Sequence, residues 1–257
     1  MRIKNYQIKN KKIHKLIHSF SRAFFRFGDA IGEEWFSTRR ENRPLRKFID
    51  KKHGLVYLEN PLVASQSISS LFIDKSDGSC LSRRMYVDDA KKKLSYEKYP
   101  FSFTAVRSPW SRIASLYNKK IRNATSVARI ALISQFEGLE PGMSFENFIK
   151  VITSIKYERS DPHWAPQIVN VASKRYPKYI IRLEKLEKSL STLFEMSGRD
   201  FHGLPHHGGS EDQIFSPIRK EDLFDEISDY VIEKLNRYYY LDCISFGYPL
   251  LGNKEDK

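Results

Sequence analysis

The chain has 257 residues, 40% of them hydrophobic and 29% charged, which is enough to bury a full core in one domain with an appendage. No apolar run approaches the ~18 residues that mark a membrane-spanning helix. Its two cysteines, Cys80 and Cys243, exclude a disulfide framework and lack metal spacing, which fits a reducing compartment.

The net charge of +13 is unevenly placed, because residues 1–52 hold fifteen Lys and Arg against five Asp and Glu. This basic N-terminal arm carries Ile13, Leu16, Ile17, Phe20, Phe24 and Phe27 at helical spacing among its cations. Such a pattern suits a partly helical segment that lies on an anionic membrane surface or packs on the domain. The arm lacks the apolar core and cleavage site of a secretory signal, so the expected location is cytoplasmic, peripheral on a membrane through the arm. Nucleic-acid binding by the arm, with aromatics stacking on bases, is the competing reading.

After the arm, "GLVYL" (54–58) reads as a buried strand. The loop "ENPLVASQS" follows, and its small residues let backbone amides approach an anion. It is not a Walker A sequence, because the glycines and the Gly-Lys-Ser/Thr end are missing. "ISSLFIDK" reads as the start of a helix, and 74–98 as charged loop with a short helix.

"FSFTAV" (101–106) is aromatic and β-branched, as suits a buried strand. Ser108 then reads as an N-cap and Pro109 as the first helical residue. Ile113, Leu116 and Tyr117 form an inward face, while Arg112, Ser115 and Lys119 share another. Arg107 therefore stands where a strand ends and a helix begins, the usual ligand position in open α/β sheets, and an arginine there favours an anion. The alternative is an arginine that caps the strand and pairs with a carboxylate.

Further on, Ser144 caps a helix with Phe145, Phe148, Ile149 and Ile152 inward. "YIIRL" (179–183) reads as a third strand, followed by a helix that ends at Gly198. "LPHHGGSEDQIFSPIR" is a loop, and one last helix is expected over roughly 220–240. Strands alternating with helices predict an α/β fold, a parallel sheet flanked by helices, with domain limits 53–250 and a short tail 251–257.

Taken together, these pieces resemble one family. "YLENPLVASQSISSLF" looks like the 5′-phosphosulfate loop of the sulfotransferases related to the Golgi carbohydrate enzymes, and "FTAVRSPWSRIASLY" resembles their 3′-phosphate motif, Arg-x-Pro-x-x-Arg-x-x-Ser. "DPHWAPQ" (161–167), "YIIRLEKLEKSLSTLFEMSG", "LPHHGGS" and "YYYLDCISFGY" follow in the family's order. The resemblance implies a nucleotide-kinase-like fold and 3′-phosphoadenosine 5′-phosphosulfate as donor. It also implies a carbohydrate hydroxyl as acceptor, no metal and no specific nucleic-acid partner.

By position, Pro61, Leu62, Val63, Ala64, Ser65, Gln66 and Ser67 would hold the 5′-phosphosulfate, and Arg107 and Ser115 the 3′-phosphate. One departure stands out: the family's lysine after the loop proline is Leu62 here. Lys75, Arg112 and Lys119 are the candidate substitutes; without one, the chain binds donor or glycan without reacting. The acceptor proton needs a base, and a histidine suits neutral pH. His163, with Asp161 near it and an aromatic neighbour for a sugar face, is the candidate, against a structural histidine bonded to a carbonyl. Glu59 and His206 are the fallback bases. The pair His206 and His207 shows no metal spacing.

Overall fold

Among the described residues, four short strands make one sheet: β1 (Lys47–Asp50), β2 (Leu55–Leu58), β3 (Phe101–Val106) and β4 (Tyr179–Arg182). They lie in chain order, with β1 antiparallel to β2 and β2, β3 and β4 mutually parallel. The three parallel strands are those the sequence predicts. The fourth is an addition, because Lys47–Asp50 sit inside the stretch read as basic arm. Gly54, at φ +67°, closes the turn between β1 and β2, and a Cβ there would meet Pro100 at 3.0 Å.

The computed structural model describes residues 47–72, 99–122, 130, 133, 136–157, 160–172, 177–205 and 218–252. All fall in one unit, Leu45–Lys257. The arm's helical pattern, the segment 74–98 with Lys75 and Cys80, and the loop with His206 and His207 lie outside the described residues.

The helices are α1 (Ser65–Ser70), α2 (Pro109–Leu116), α3 (Phe145–Ser154), α4 (Gln167–Ala172), α5 (Leu186–Met196), α6 (Lys220–Asp225) and α7 (Asp229–Phe246). The Ser144 hydroxyl accepts from the Asn147 amide at the start of α3, and Phe145, Phe148, Ile149 and Ile152 are all buried, as their spacing predicts. The single helix expected over 220–240 is two. Ser228 adopts an extended conformation that interrupts it, and Asp229 then opens α7 with a carboxylate in the first turn. Gly247, left-handed at φ +71°, ends α7 six residues past the expected limit.

One face of the sheet carries the main core. Phe48, Leu55, Tyr57, Phe103, Ala105 and Ile181 pack with Ile68 and Phe72 beyond the loop and with Leu186, Leu190, Leu193 and Phe194 of α5. Tyr57 stacks on Phe103 at 5.2 Å and on Phe48 at 5.9 Å, so aromatic contact ties the three strands together. The alternate residues Ile49, Val56, Thr104 and Val106 are buried too, which marks a sheet covered on both faces. Among the described residues no helix is long and apolar enough to cross a membrane.

Candidate functional site

Parallel pairing puts the carboxyl ends of β2, β3 and β4 on the same side, so the loops at 59–64, 107–108 and 183–185 gather there. The loop after β2 is strained. Leu62 has φ +65° and Ala64 φ +49°, left-handed values that non-glycine residues adopt at a cost of about 1–2 kcal/mol each. Right- and left-handed residues in alternation turn successive amides toward one side, the geometry of an anion nest. Val63 between them is fully buried and pins the loop to the core; its side chain does not face solvent. Pro61, Leu62, Ala64, Ser65 and Ser67 are half-buried, and Gln66 is exposed.

Arg107 follows β3 and is half-buried. Its amide donates to Gln167 Oε1 (3.0 Å) and its carbonyl accepts from Gln167 Nε2 (2.7 Å). Its guanidinium makes no hydrogen bond or ion pair among the described residues. Burial lowers its pKa, Glu184 and Tyr248 oppose this, and Arg112 adds to it. The cation is thus partly desolvated, with its strong donors still to be used. Glu184 accepts from the Ser108 amide (3.3 Å) and the Tyr248 hydroxyl (2.9 Å), which closes the rim beside Arg107. Ser115 lies half-buried on α2, two turns along from Arg107.

Behind this rim lies a buried polar frame. Asn60 Nδ2 donates to Ala105 O (3.1 Å) and Gln167 Oε1 (3.2 Å). Asp242 Oδ2 accepts from the Gln167 amide and Oδ1 from the Ile168 amide, each at 2.8 Å, and so caps α4 from α7. Burial raises the Asp242 pKa, while these amides and Arg112 oppose it.

Arg112 belongs to this frame and not to a solvent face. Only 1% of it is exposed. Its guanidinium donates to Pro61 O (3.2 Å), Ala165 O (2.8 Å) and Pro162 O (2.5 Å). All three contacts are carbonyls of site loops, so Arg112 clamps the loop at 61 to the loop at 162–165. That occupation removes it as a substitute for the missing lysine.

Held by this clamp, His163 faces two partners. Its Nδ1 lies 2.5 Å from Asp161 Oδ1, whose carboxylate also accepts from the His163 amide (2.9 Å). Its Nε2 lies 2.9 Å from Lys120 Nζ. Lysine has only donors, so Nε2 is the acceptor and the ring proton sits on Nδ1, toward Asp161.

The lysine in contact is Lys120 and not Lys119, which is exposed. The chain leaves α2 through a π-helical turn, Tyr117–Arg122, whose extra residue per turn moves the next position onto this face. Trp164 does not present its ring to a sugar: it is 3% exposed, with Phe136 against it at 4.6 Å and its indole N–H buried without a partner among the described residues. Glu59 is half-buried at the end of β2.

The structure therefore brings together the 61–67 loop, Arg107 and His163. Asn60, which holds the site, was not singled out from the sequence, and Gln167, Asp242 and Lys120 stood in motifs there without a role; their partners are remote, as with Asp242 and Gln167, 75 positions apart. Among the described residues no cluster of His, Cys, Asp or Glu is placed to hold a metal ion. In comparison with known proteins, the model of the Sulfotransferase family matches residues 46–249. No curated protein matches the chain, and no solved structure does.

Proposed function

The chain belongs to the Sulfotransferase family, and from that premise we propose that it moves a sulfuryl group from 3′-phosphoadenosine 5′-phosphosulfate to a hydroxyl of a carbohydrate. The observation that carries the donor is Arg107: a partly desolvated guanidinium without a side-chain partner among the described residues, on the rim that also holds the strained 61–64 loop. A nucleotide with phosphates at both ends answers both features. The loop amides and Ser65 and Ser67 would take the 5′-phosphosulfate, Arg107 and Ser115 the 3′-phosphate. The donor supplies the transferable group; the chain positions it and stabilises charge, as in phosphoryl transfer. His163, with Nε2 as the acceptor nitrogen and Asp161 behind Nδ1, has the tautomer a general base needs. The carbohydrate acceptor rests on family resemblance.

A second reading, a nucleotide- or glycan-binding protein without turnover, is favoured by one residue, Leu62 in the lysine position. Transfer of labelled sulfate from the donor to a panel of glycans, run beside calorimetry of donor binding, separates the two. Labelled glycan is the expected result. Donor binding without labelling establishes the binder, and neither binding nor labelling overturns the proposal.

A further inference from the structure

One oxygen atom joins the two loops between which the donor's phosphates would be divided. Gln167 Oε1 accepts from the Arg107 amide (3.0 Å) and from Asn60 Nδ2 (3.2 Å). Arg107 opens the loop after β3, and Asn60 stands two positions before left-handed Leu62 in the loop after β2. The other end of the same carboxamide donates to Arg107 O (2.7 Å) and to Asp242 Oδ2 (3.3 Å). Both groups that meet Oε1 are donors and both that meet Nε2 are acceptors, so the network admits one orientation of the amide. Its two lone pairs and two N–H groups are all used.

The consequence for Arg107 is local and specific. Arg107 lies past Val106, the last paired residue of β3. Gln167 takes both of its main-chain groups, as an opposed residue on a neighbouring strand would. The guanidinium therefore leaves a backbone that is held on both sides. Gln167 is itself fixed, being wholly buried with its own amide on Asp242 Oδ2 (2.8 Å) of α7. Asn60 is wholly buried too, with its second N–H on Ala105 O (3.1 Å) of β3. Neither contact is local: Gln167 is 107 positions from Asn60 and 60 from Arg107, so the folding of either loop by itself does not require it.

We propose that Gln167 is a positioning residue that sets the distance between the two anion-binding loops, and so selects a nucleotide whose second phosphate stands on the 3′ and not the 2′ carbon of the ribose. This rests on the sulfotransfer reading, which puts one phosphate of the donor in each loop. A phosphate moved by one ribose carbon keeps its charge but misses Arg107 when the loops are tied. When the tie is cut, Arg107 can follow it.

The test measures, by calorimetry at fixed pH and salt, the affinities of 3′-phosphoadenosine 5′-phosphate, 2′-phosphoadenosine 5′-phosphate and adenosine 5′-phosphate. Wild type should prefer the 3′ isomer about tenfold or more, the range for one charge-assisted hydrogen bond. Gln167→Met keeps the length of the side chain and removes all four of its bonds. It should weaken the 3′ isomer about tenfold to a hundredfold, the cost of an ångström-scale misplacement, and bring the two isomers within about threefold of each other. Adenosine 5′-phosphate, which engages one loop, should change by less than about threefold.

Gln167→Met strips partners from both main-chain groups of Arg107, so Asn60→Ala is the second variant. It cuts the shared oxygen from the loop after β2 and leaves Gln167 on Arg107, and it should narrow the isomer ratio in the same direction. An unchanged ratio in either folded variant, whether both isomers weaken equally or neither does, shows that Gln167 only holds the fold and overturns the proposal. Equal affinity of wild type for the two isomers overturns it as well and leaves the sulfotransfer reading standing. Binding of neither isomer by wild type overturns both.

Discussion

At the end of β3, Arg107 keeps a half-buried guanidinium without a partner among the described residues; five positions later Arg112, almost wholly buried, has every edge of its guanidinium on a carbonyl. The same residue type, in one motif, is finished in opposite ways. Around Arg112 the frame of Asn60, Gln167 and Asp242 is likewise satisfied, with donors and acceptors matched across β2, β3, α4 and α7. Around Arg107 and the 61–64 loop the structure holds strain and unused donors. A buried polar group left unpaired costs about 1–3 kcal/mol, so a fold completes such groups where position alone matters. It leaves them incomplete where a ligand completes them. Under the proposed function, the contrast separates residues that hold the site from residues that would meet its ligand.

The largest expected effect tests the holding half. Arg112→Met removes the donor from three carbonyls and the counter-charge near Asp161 and Asp242, whose influence on Arg112 opposes the effect of burial. Loss of one partner in such a buried arrangement costs about 3–5 kcal/mol. Denaturant unfolding should show that loss. Arg112→Lys should recover only part of it, because an ammonium cannot reproduce the planar fork. A fully stable Arg112→Met would mean that the loops hold each other without the clamp.

How far the sequence reaches follows the same division. Strands Leu55–Leu58, Phe101–Val106 and Tyr179–Arg182 and the Ser144-capped helix were legible, because apolar pattern and capping residues are local signals. The place of Arg107 between a strand and a helix was legible because that junction is a local signal too. Arg112 was misplaced, since periodicity tells which residues share a helix face but not that this face meets carbonyls from 61, 162 and 165. Lys119 was read onto the face of Arg112 and Ser115 because a regular α-helix was assumed through a π-helical turn. β1 was hidden by its charged surroundings, and the Gln167–Asp242 contact by its separation along the chain.

The acting half is tested at Arg107. Arg107→Ala should weaken 3′-phosphoadenosine 5′-phosphate by about 2–4 kcal/mol, the cost of losing one side of a charge-assisted pair. Adenosine 5′-phosphate, lacking the 3′-group, should lose little. Folding stability should change by no more than about 0.5 kcal/mol, because the side chain has no hydrogen-bond partner among the described residues to abandon. Equal losses for both nucleotides, or a large drop in stability, would move Arg107 into the frame with Arg112 and erase the comparison.

The smallest effect concerns the strain itself. Ala64 is left-handed at φ +49° and ψ +30° where α1 begins, and an L-residue in that region costs about 1–2 kcal/mol. Glycine removes that cost but loses about 0.5–1 kcal/mol through the greater freedom of the unfolded chain. The two effects nearly cancel, and the strain relief is the larger. Ala64→Gly should therefore leave stability unchanged or raise it by up to about 1 kcal/mol. Ala114, buried within α2, is the control: it has ordinary helical surroundings, so Ala114→Gly should lower stability by about 1 kcal/mol or more. Thermal or denaturant unfolding of the pair reads the sign directly. Donor affinity supplies the other half of the test. If the left-handed geometry presents the loop amides to phosphosulfate, Ala64→Gly keeps that geometry accessible but no longer favours it over others. Affinity should then fall slightly, by less than about 1 kcal/mol, while stability does not. Equal losses in Ala64→Gly and Ala114→Gly would show that position 64 carries no strain, and that the loop is as relaxed as the frame behind it.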